Sequence, residues 1–451
     1  MRPPARKTIF LAFVALFIIG GGYALVLAFG LALDLAHLSV VRTGSLFLDF
    51  VPADATLLVD GAVRNPNRRF LGRGALLKRL LPGTYEVALE TPGHHPWRKI
   101  MAIRAGEVTK AAGILLWPDL PERETVAEKV RRFWLTSEGL VTLGTQNVLT
   151  LGEVELRGST VIAANPASSF IVTGVGNTRF IIDLRNPRAA LNISELFQSL
   201  KERELGLRGA VPITAVLLHP FAPTKFIIAS AHAVYVLDVR KVSLQKLIEA
   251  SSTAAIAVNR NEVLVADRDG TLAIANLVLG TVSREPTFPS STTVMEVASD
   301  RAGATVFGLT KKGGLFSFNG ATSTAIELGA DVADFALSPD ETRIAIRTKD
   351  GETSVVFLTD VDESGIQTAG TRIAVPAASG PTILPLSWFQ GSPRYFFQVS
   401  AEGALTIYEA DVNQPQDHLT LAENVADYAV DGNALYVLHA NGVLEKITLT
   451  P

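Results

Sequence analysis

The histidines are the first residues to weigh for chemistry. His94-His95 stand beside Trp97, a grouping that would suit a metal ion or a platform for a stacked sugar. Adjacent histidines on a strand or turn point to opposite sides, so they chelate one ion poorly. An exposed turn accounts for the pair. His219, His232, His418 and His439 fall in different units of the chain, and nothing in the sequence pairs them with a nucleophile. Asp267-x-Asp269-Gly270 and Asp360-x-Asp362-Glu363 look like fragments of calcium loops, but neither carries the full ligand series. The first coincides with a repeated hairpin turn. No Gly-x-Ser-x-Gly elbow, phosphate loop or dinucleotide fingerprint stands in a strand-helix context. Cysteine is absent, which excludes disulfides, thiolate metal sites, a thiol nucleophile and a lipidated cysteine. The expectation is therefore a protein with no catalytic residue, no metal site and no cofactor.

One charge feature has a physical reason to act on something. Arg64, Arg68, Arg69, Arg73, Lys78 and Arg79 crowd into a short stretch of an otherwise mixed chain. As an ordinary solvated loop they would do nothing. Against an anionic surface, lipid headgroups or a wall polymer, each would contribute ~1 kcal/mol. Arg64, Arg68, Arg69, Arg73 and Arg79 are the candidate contacts. The net charge of −3 gives no global reason to expect nucleic acid as a partner.

These residues need elements to hold them. After Arg2, Arg6 and Lys7 the chain runs from Ile9 to Leu33 without a charge. That is about 25 residues, against the ~20 a helix needs to cross the hydrocarbon core, and longer than the apolar block of a cleaved signal peptide. The basic residues precede the run and Asp34 follows it, so the positive-inside bias places the N-terminus in the cytoplasm and the rest outside. The expected divisions are a basic tail over 1–7 and a single-pass anchor over 8–33.

From Gly44 the pattern changes to alternation. Leu46, Leu48 and Phe50 share a face, and Thr56-Leu57-Leu58-Val59 runs into the hairpin signal Asp60-Gly61. Leu81-Pro82-Gly83 turns into Thr84–Glu90, and Thr91-Pro92-Gly93 leads to Trp97–Ile103. The pattern predicts a compact antiparallel sandwich over 44–118. At Pro52, Ala55, Asp60-Gly61, Pro82-Gly83-x-Tyr85 and Pro92-Gly93 the stretch resembles the PEGA family of small bacterial surface modules. His94 departs from the aromatic common in that family, and Asn65 to Gly74 reads as an insertion. The resemblance implies a spacer or binding unit of the cell envelope and brings no catalytic residues.

The remaining chain, 122–451, repeats. Tight turns at Asp269-Gly270, Gly313-Gly314, Asp350-Gly351, Glu402-Gly403 and Asn441-Gly442 each separate two apolar strands, with successive glycines about 37–52 residues apart. That period matches four-stranded propeller blades. The unit Phe335–Ala345, with Ser338-Pro339-Asp340-Glu341, resembles the WD40-like and TolB-type propeller repeat, although Glu341 replaces the usual glycine and no Trp-Asp dipeptide ends a blade. Units beginning near Phe133, Val161, Thr214, Ala254, Val294, Val332, Leu384 and Val425 give seven or eight blades. The last has three strands, and Arg123–Ala127 can supply the fourth. Ile193–Lys201 has helical spacing between the second and third units.

The fold class expected is mainly β: an N-terminal transmembrane helix, a PEGA-like β-sandwich and a seven- or eight-bladed propeller. The function expected is a membrane-anchored extracytoplasmic scaffold whose propeller offers a surface to a protein or cell-wall polymer partner. The alternatives are an extracytoplasmic propeller enzyme (a lyase, hydrolase or quinone-dependent dehydrogenase) and an envelope-protein assembly factor. A deep axial pocket with convergent carboxylates or histidines would favour the enzyme; a shallow polar funnel would favour the scaffold.

Overall fold

A computed structural model describes residues 3–28, 30–34, 39–65, 74–152, 154–157, 160–165, 168–220, 222–250, 253–259, 262–285, 288, 293–300, 304–319, 325–362, 366–375 and 384–449. Helix α1 (Pro3–Ala28) is 26 residues long. Its Phe10, Leu11, Phe13, Leu16, Ile18 and Ile19 all stand exposed, around the whole circumference rather than along one stripe. Among the described residues, no helix is long and apolar enough to cross a membrane. The transmembrane span expected over 8–33 is not found among the described residues, and the charge-free run does not stay helical to its end. The helix stops at Ala28, and Leu31–Asp34 returns as a strand against Ser39–Arg42. Gly30, at φ +69°, makes that turn, and its carbonyl accepts from both the amide (2.8 Å) and the hydroxyl (2.7 Å) of Thr43.

The small domain is a sandwich, but not the wholly antiparallel one expected. Gly44–Val51 lies between Gly74–Leu80, antiparallel to it, and Val108–Leu115, parallel to it. The facing sheet is ordered Ala62–Arg64, Thr56–Val59, Gly83–Glu90, Trp97–Ile103. The parallel pair arises because the chain crosses to the second sheet and back before its last strand joins the first. Leu46, Leu48, Phe50, Leu57, Val87 and Met101 fill the space between the sheets. Within the insertion read at 65–74, Gly74 begins a strand and 66–73 lies outside the described residues.

Beyond it come eight four-stranded antiparallel sheets, over 130–157, 160–192, 215–249, 253–285, 294–329, 332–375, 387–422 and 425–448. Among the described residues the number is eight, not seven. Arg123–Ala127 pairs with Leu444–Thr448 and completes the eighth sheet with a strand from the opposite end of the repeat. Each sheet shares an apolar cluster with its successor. The eighth shares one with the first, where Val130, Phe133 and Leu135 meet Leu438 and Leu444. Among the described residues no sheet closes on itself. The sheets join face to face, as propeller blades do.

A second device repeats at these junctions. The hairpin glycines Gly313, Gly403 and Gly442 have φ of +93°, +82° and +86°. The carbonyl of each accepts a hydrogen bond from the first strand of the next sheet: Val332 N at 2.7 Å, Val425 N at 2.9 Å and Val130 N at 2.9 Å. The last of these carries the latch from the eighth sheet to the first. A Cβ on Gly442 would lie 3.2 Å from the Val130 carbonyl oxygen, so both the backbone angle and the close approach require glycine. Helix α2 (Ile193–Leu205) forms where helical spacing places it, capped by Asn192 and Gly206. Its Ile193, Phe197 and Leu200 pack between the second and third sheets.

Candidate functional site

Two places concentrate polar chemistry. The first is the joint between the sandwich and the seventh sheet. Along Trp97–Ile103 alternate residues are buried, and Lys99 falls on the same buried face as Trp97, Met101 and Ile103. Its ammonium lies 2.6 Å from Glu409 Oε2, with both side chains 0% exposed. Trp97 Nε1 donates to the other carboxylate oxygen at 2.8 Å. Arg394 lies 3.5 Å from Glu409 and pairs with Asp411 at 2.9 Å, again in full burial. Two cations and two anions are thus interleaved, which is the arrangement that buried charge requires. Burial pushes the Glu409 carboxyl above its usual range, against the pull of Arg394 and Lys99.

Backbone and aromatic contacts extend the joint. Arg394 and Ser392 donate to the carbonyls of Ala112 and Gly113, and Ile100 N donates to Gln414 O at 2.8 Å. Trp117 packs edge-on against Phe389 and Tyr395, at 5.5 and 5.1 Å between ring centroids. Burial raises the Tyr395 hydroxyl well above its ordinary range, and this hydroxyl both accepts from Leu115 N and donates to Leu115 O.

The second place is the centre of the eight sheets. The first strand of each sheet sits at the sheet's edge, and first strands touch at several of the junctions between neighbouring sheets, including Val130–Thr136 with Val425–Asp431. Six of these strands carry a register shift, at Val130/Arg132, Val161/Ala163, Thr253/Ala255, Val294/Glu296, Val332/Asp334 and Val425/Asp427. A bulge places two successive residues on one side of a strand. Accordingly Arg131 and Arg132 are both exposed between buried Val130 and Phe133, and Met295 and Glu296 between buried Val294 and Val297. The bulge position is charged in the fifth, sixth, eighth and first sheets, as Glu296, Asp334, Asp427 and Arg132, and is alanine in the second and fourth.

These carboxylates differ in what occupies them. Asp334 accepts from Leu386 N at 2.6 Å and pairs with Arg347 at 3.3 Å, so the fold itself engages it. Burial raises the pKa of Asp334, and those two partners oppose the rise. Glu296 reaches solvent, yet the protein packed around its carboxyl partly desolvates and so raises it, and the neighbouring charge of Asp334 adds to this. Asp427 is raised by burial and held back by its own Tyr428 amide and by Arg132. A cleft of about 330 Å³ opens here, lined by Arg131, Arg132, Phe133, Trp134, Leu384, Ala426 and Asp427. Among the described residues, no group of three or more His, Asp or Glu side chains could hold a metal ion.

The residues singled out in the sequence land elsewhere. Arg64 and Arg79 are exposed on separate sheets of the sandwich, and Arg68, Arg69 and Arg73 lie outside the described residues. His94 and His95 do diverge, but not as a plain exposed turn. His94 turns to Pro92 O, whereas His95 reaches Asp417 of the seventh sheet at 3.2 Å and belongs to the joint. His219 and His232 do not fall in different units; both belong to the third sheet. Burial lowers the His219 pKa, and its ring nitrogen accepts from Ala222 N. His418 stacks on Tyr408 and His439 bonds Glu445. No two histidines converge among the described residues. Asp269 accepts from Thr271 N within its hairpin, and Asp360 from Ala369 N; Glu363 lies outside the described residues.

Both real concentrations were missed, although each had a signal. Lys99 on an apolar face demands a counter-charge, and Val-x-Arg, Val-x-Glu, Val-x-Asp and Val-x-Asp recur at the starts of four units. Glu341, the departure from the propeller turn, adopts φ +61° in glycine's place, beside Asp340, which bonds both Ser338 and Thr342.

No protein-family model matches the chain. No curated protein matches it either. Among solved structures it is similar to Kluyveromyces lactis Hsv2, at 11% identity and a TM-score of 0.46 over 66% of this chain and 99% of that one. It is similar also to BamB from Moraxella catarrhalis, at 12% identity and a TM-score of 0.46 over 74% and 100%. A chain of the mitotic checkpoint complex matches at 11% and 0.43 over 74% and 96%. At these values the likenesses carry no functional inference. The strand order, the shared clusters and the repeated latch are what identify a mainly β, propeller-like protein.

Proposed function

We propose that this chain is a membrane-anchored, extracytoplasmic binding scaffold of the cell envelope, whose propeller presents its axial face to a protein partner. The joint carries the proposal. Four fully buried charges and the Trp117 cluster fix the sandwich to the seventh sheet, so the two parts are one body and not modules on a string. A scaffold that must hold its binding face at a set angle needs such rigidity. The anchor rests on the charge-free run Ile9–Leu33 behind Arg2, Arg6 and Lys7 and on the exposed apolar side chains of α1. Arg64 and Arg79, exposed on the sandwich, join Arg68, Arg69 and Arg73 as the contacts with an anionic surface.

The test is site-directed photo-crosslinking of the full chain in intact cells. A crosslinker at Met295, on the axial face, should yield one discrete protein adduct; one at Val278, exposed on an outer turn, should not. Equal labelling from both positions, or from neither, would discard the axial scaffold. An activity reporter fused after Pro451 should work only outside the cytoplasm, and activity inside would discard the topology.

A further inference from the structure

We infer that the axial cleft beside Arg131 and Arg132 receives a carboxylate-bearing segment of a partner protein, an acidic residue flanked by apolar ones. The inference rests on the scaffold reading and gives it a site and a chemistry. Regular alternation would send Arg131 and Arg132 to opposite faces of their strand. The shift after Val130 instead leaves both exposed on one side, beside the cleft that they line. Arg131 donates to the neutral amide of Asn147 at 3.2 Å, and Arg132 acts on Asp427. The cleft therefore holds two guanidiniums against one carboxylate, a net positive charge.

Guanidinium forks match carboxylates with paired hydrogen bonds. The remaining wall is apolar: Leu384 from the approach to the seventh sheet, Ala426 from the eighth, and half-buried Trp134 from the first. An apolar wall beside paired cations suits a peptide with alternating apolar and acidic side chains. It suits a polyanionic polymer less well, because such a polymer offers no apolar group to cover Trp134 and Leu384. A volume of about 330 Å³ is at the small end of ligand clefts, enough for one or two side chains and not for a folded domain.

The experiment titrates the full chain in detergent micelles with a short peptide of alternating leucine and glutamate. Calorimetry and tryptophan fluorescence are the readouts. The lysine counterpart and inorganic polyphosphate serve as comparison probes. Saturable binding of the glutamate peptide alone is expected. The double variant R131Q/R132Q should weaken it by about tenfold or more, the scale of one lost charge-assisted pair. D427N should tighten it, since Arg132 is then released from its neighbour. Because both arginines are exposed, the double variant should keep the parent melting temperature. Undiminished affinity in R131Q/R132Q overturns the inference, as does binding of the lysine peptide or polyphosphate in its place, or of no probe. If the Met295 adduct persists in R131Q/R132Q cells while peptide binding never occurs, the scaffold stands and the cleft assignment falls.

Discussion

Lys99 of the sandwich and Glu409 of the seventh sheet meet at 2.6 Å with neither side chain reaching solvent. They are separated by most of the chain, and each is the other's closest counter-charge. Removing one partner leaves a buried charge short of compensation, which costs ~3–5 kcal/mol. Lys99→Met should therefore lower the thermal midpoint of the full chain sharply. Adding Glu409→Leu should restore part of the loss, because it removes the charge left short of compensation at the smaller cost of the Trp97 Nε1 acceptor. A double variant less stable than Lys99→Met alone would show that Arg394 holds Glu409 unaided.

The joint also predicts cooperativity. The sandwich and the eight sheets share the cluster around Trp117, Phe389 and Tyr395, so calorimetry should record their unfolding as one transition. Trp117→Ala should lower that transition by ~3–5 kcal/mol, the usual cost of truncating a buried aromatic. Two separate transitions in the parent protein would mean that the contact is only an encounter.

The latch between the eighth and first sheets is testable at one atom. Gly442→Ala adds a Cβ 3.2 Å from the Val130 carbonyl at φ +86°, and should cost ~1–3 kcal/mol. Gly432→Ala, with φ +56° and nothing within 4 Å, should cost only the backbone penalty of ~1 kcal/mol. Equal melting temperatures for the two would remove the steric part of the account.

Ending the chain at Ala440 removes the strand between Ala434–His439 and Arg123–Ala127. Two strand edges then open, and the protein should aggregate rather than lose one sheet neatly. Size-exclusion chromatography showing a monomer with the parent melting temperature would contradict this.

The axial carboxylates set a pH dependence. Glu296 titrates above its ordinary value of 4.5, through partial desolvation at the axis first and the charge of Asp334 second. The folded state therefore binds its proton more tightly than the unfolded chain does. That contribution to stability is complete below 4.5 and is lost as pH rises through the folded value. Glu296→Gln should flatten the fall in stability between mildly acidic and neutral pH. An unchanged pH profile on chemical denaturation would show that Glu296 stays hydrated at the axis.

Residue order alone discloses what is local. Alternation marked the strands, tight glycine turns recurred about 37–52 residues apart, and eight unit starts fell at or beside the first strand of each sheet. Ile193–Lys201 disclosed α2 by its spacing, and the spare strand at Arg123–Ala127 was legible because the final unit lacked a fourth. These features depend on neighbours a few residues apart, where backbone geometry alone sets the pattern. What only the tertiary structure decided depends on partners far along the chain. The alternation of Trp97–Ile103 puts Lys99 on the apolar face but does not name its counter-charges, which are Glu409 and its neighbours, and His95 read as a turn until Asp417 stood opposite. The parallel placement of Val108–Leu115 beside Gly44–Val51 has no signature in either strand. The recurring Val-x-Arg, Val-x-Glu and Val-x-Asp mark where the bulges fall but not which way they turn the side chains: Arg131 and Arg132 became neighbours on one side because the ladder to Gly139–Gly144 slips after Val130. Charge pairing, strand partnership and register are properties of two segments at once, and no single segment encodes them.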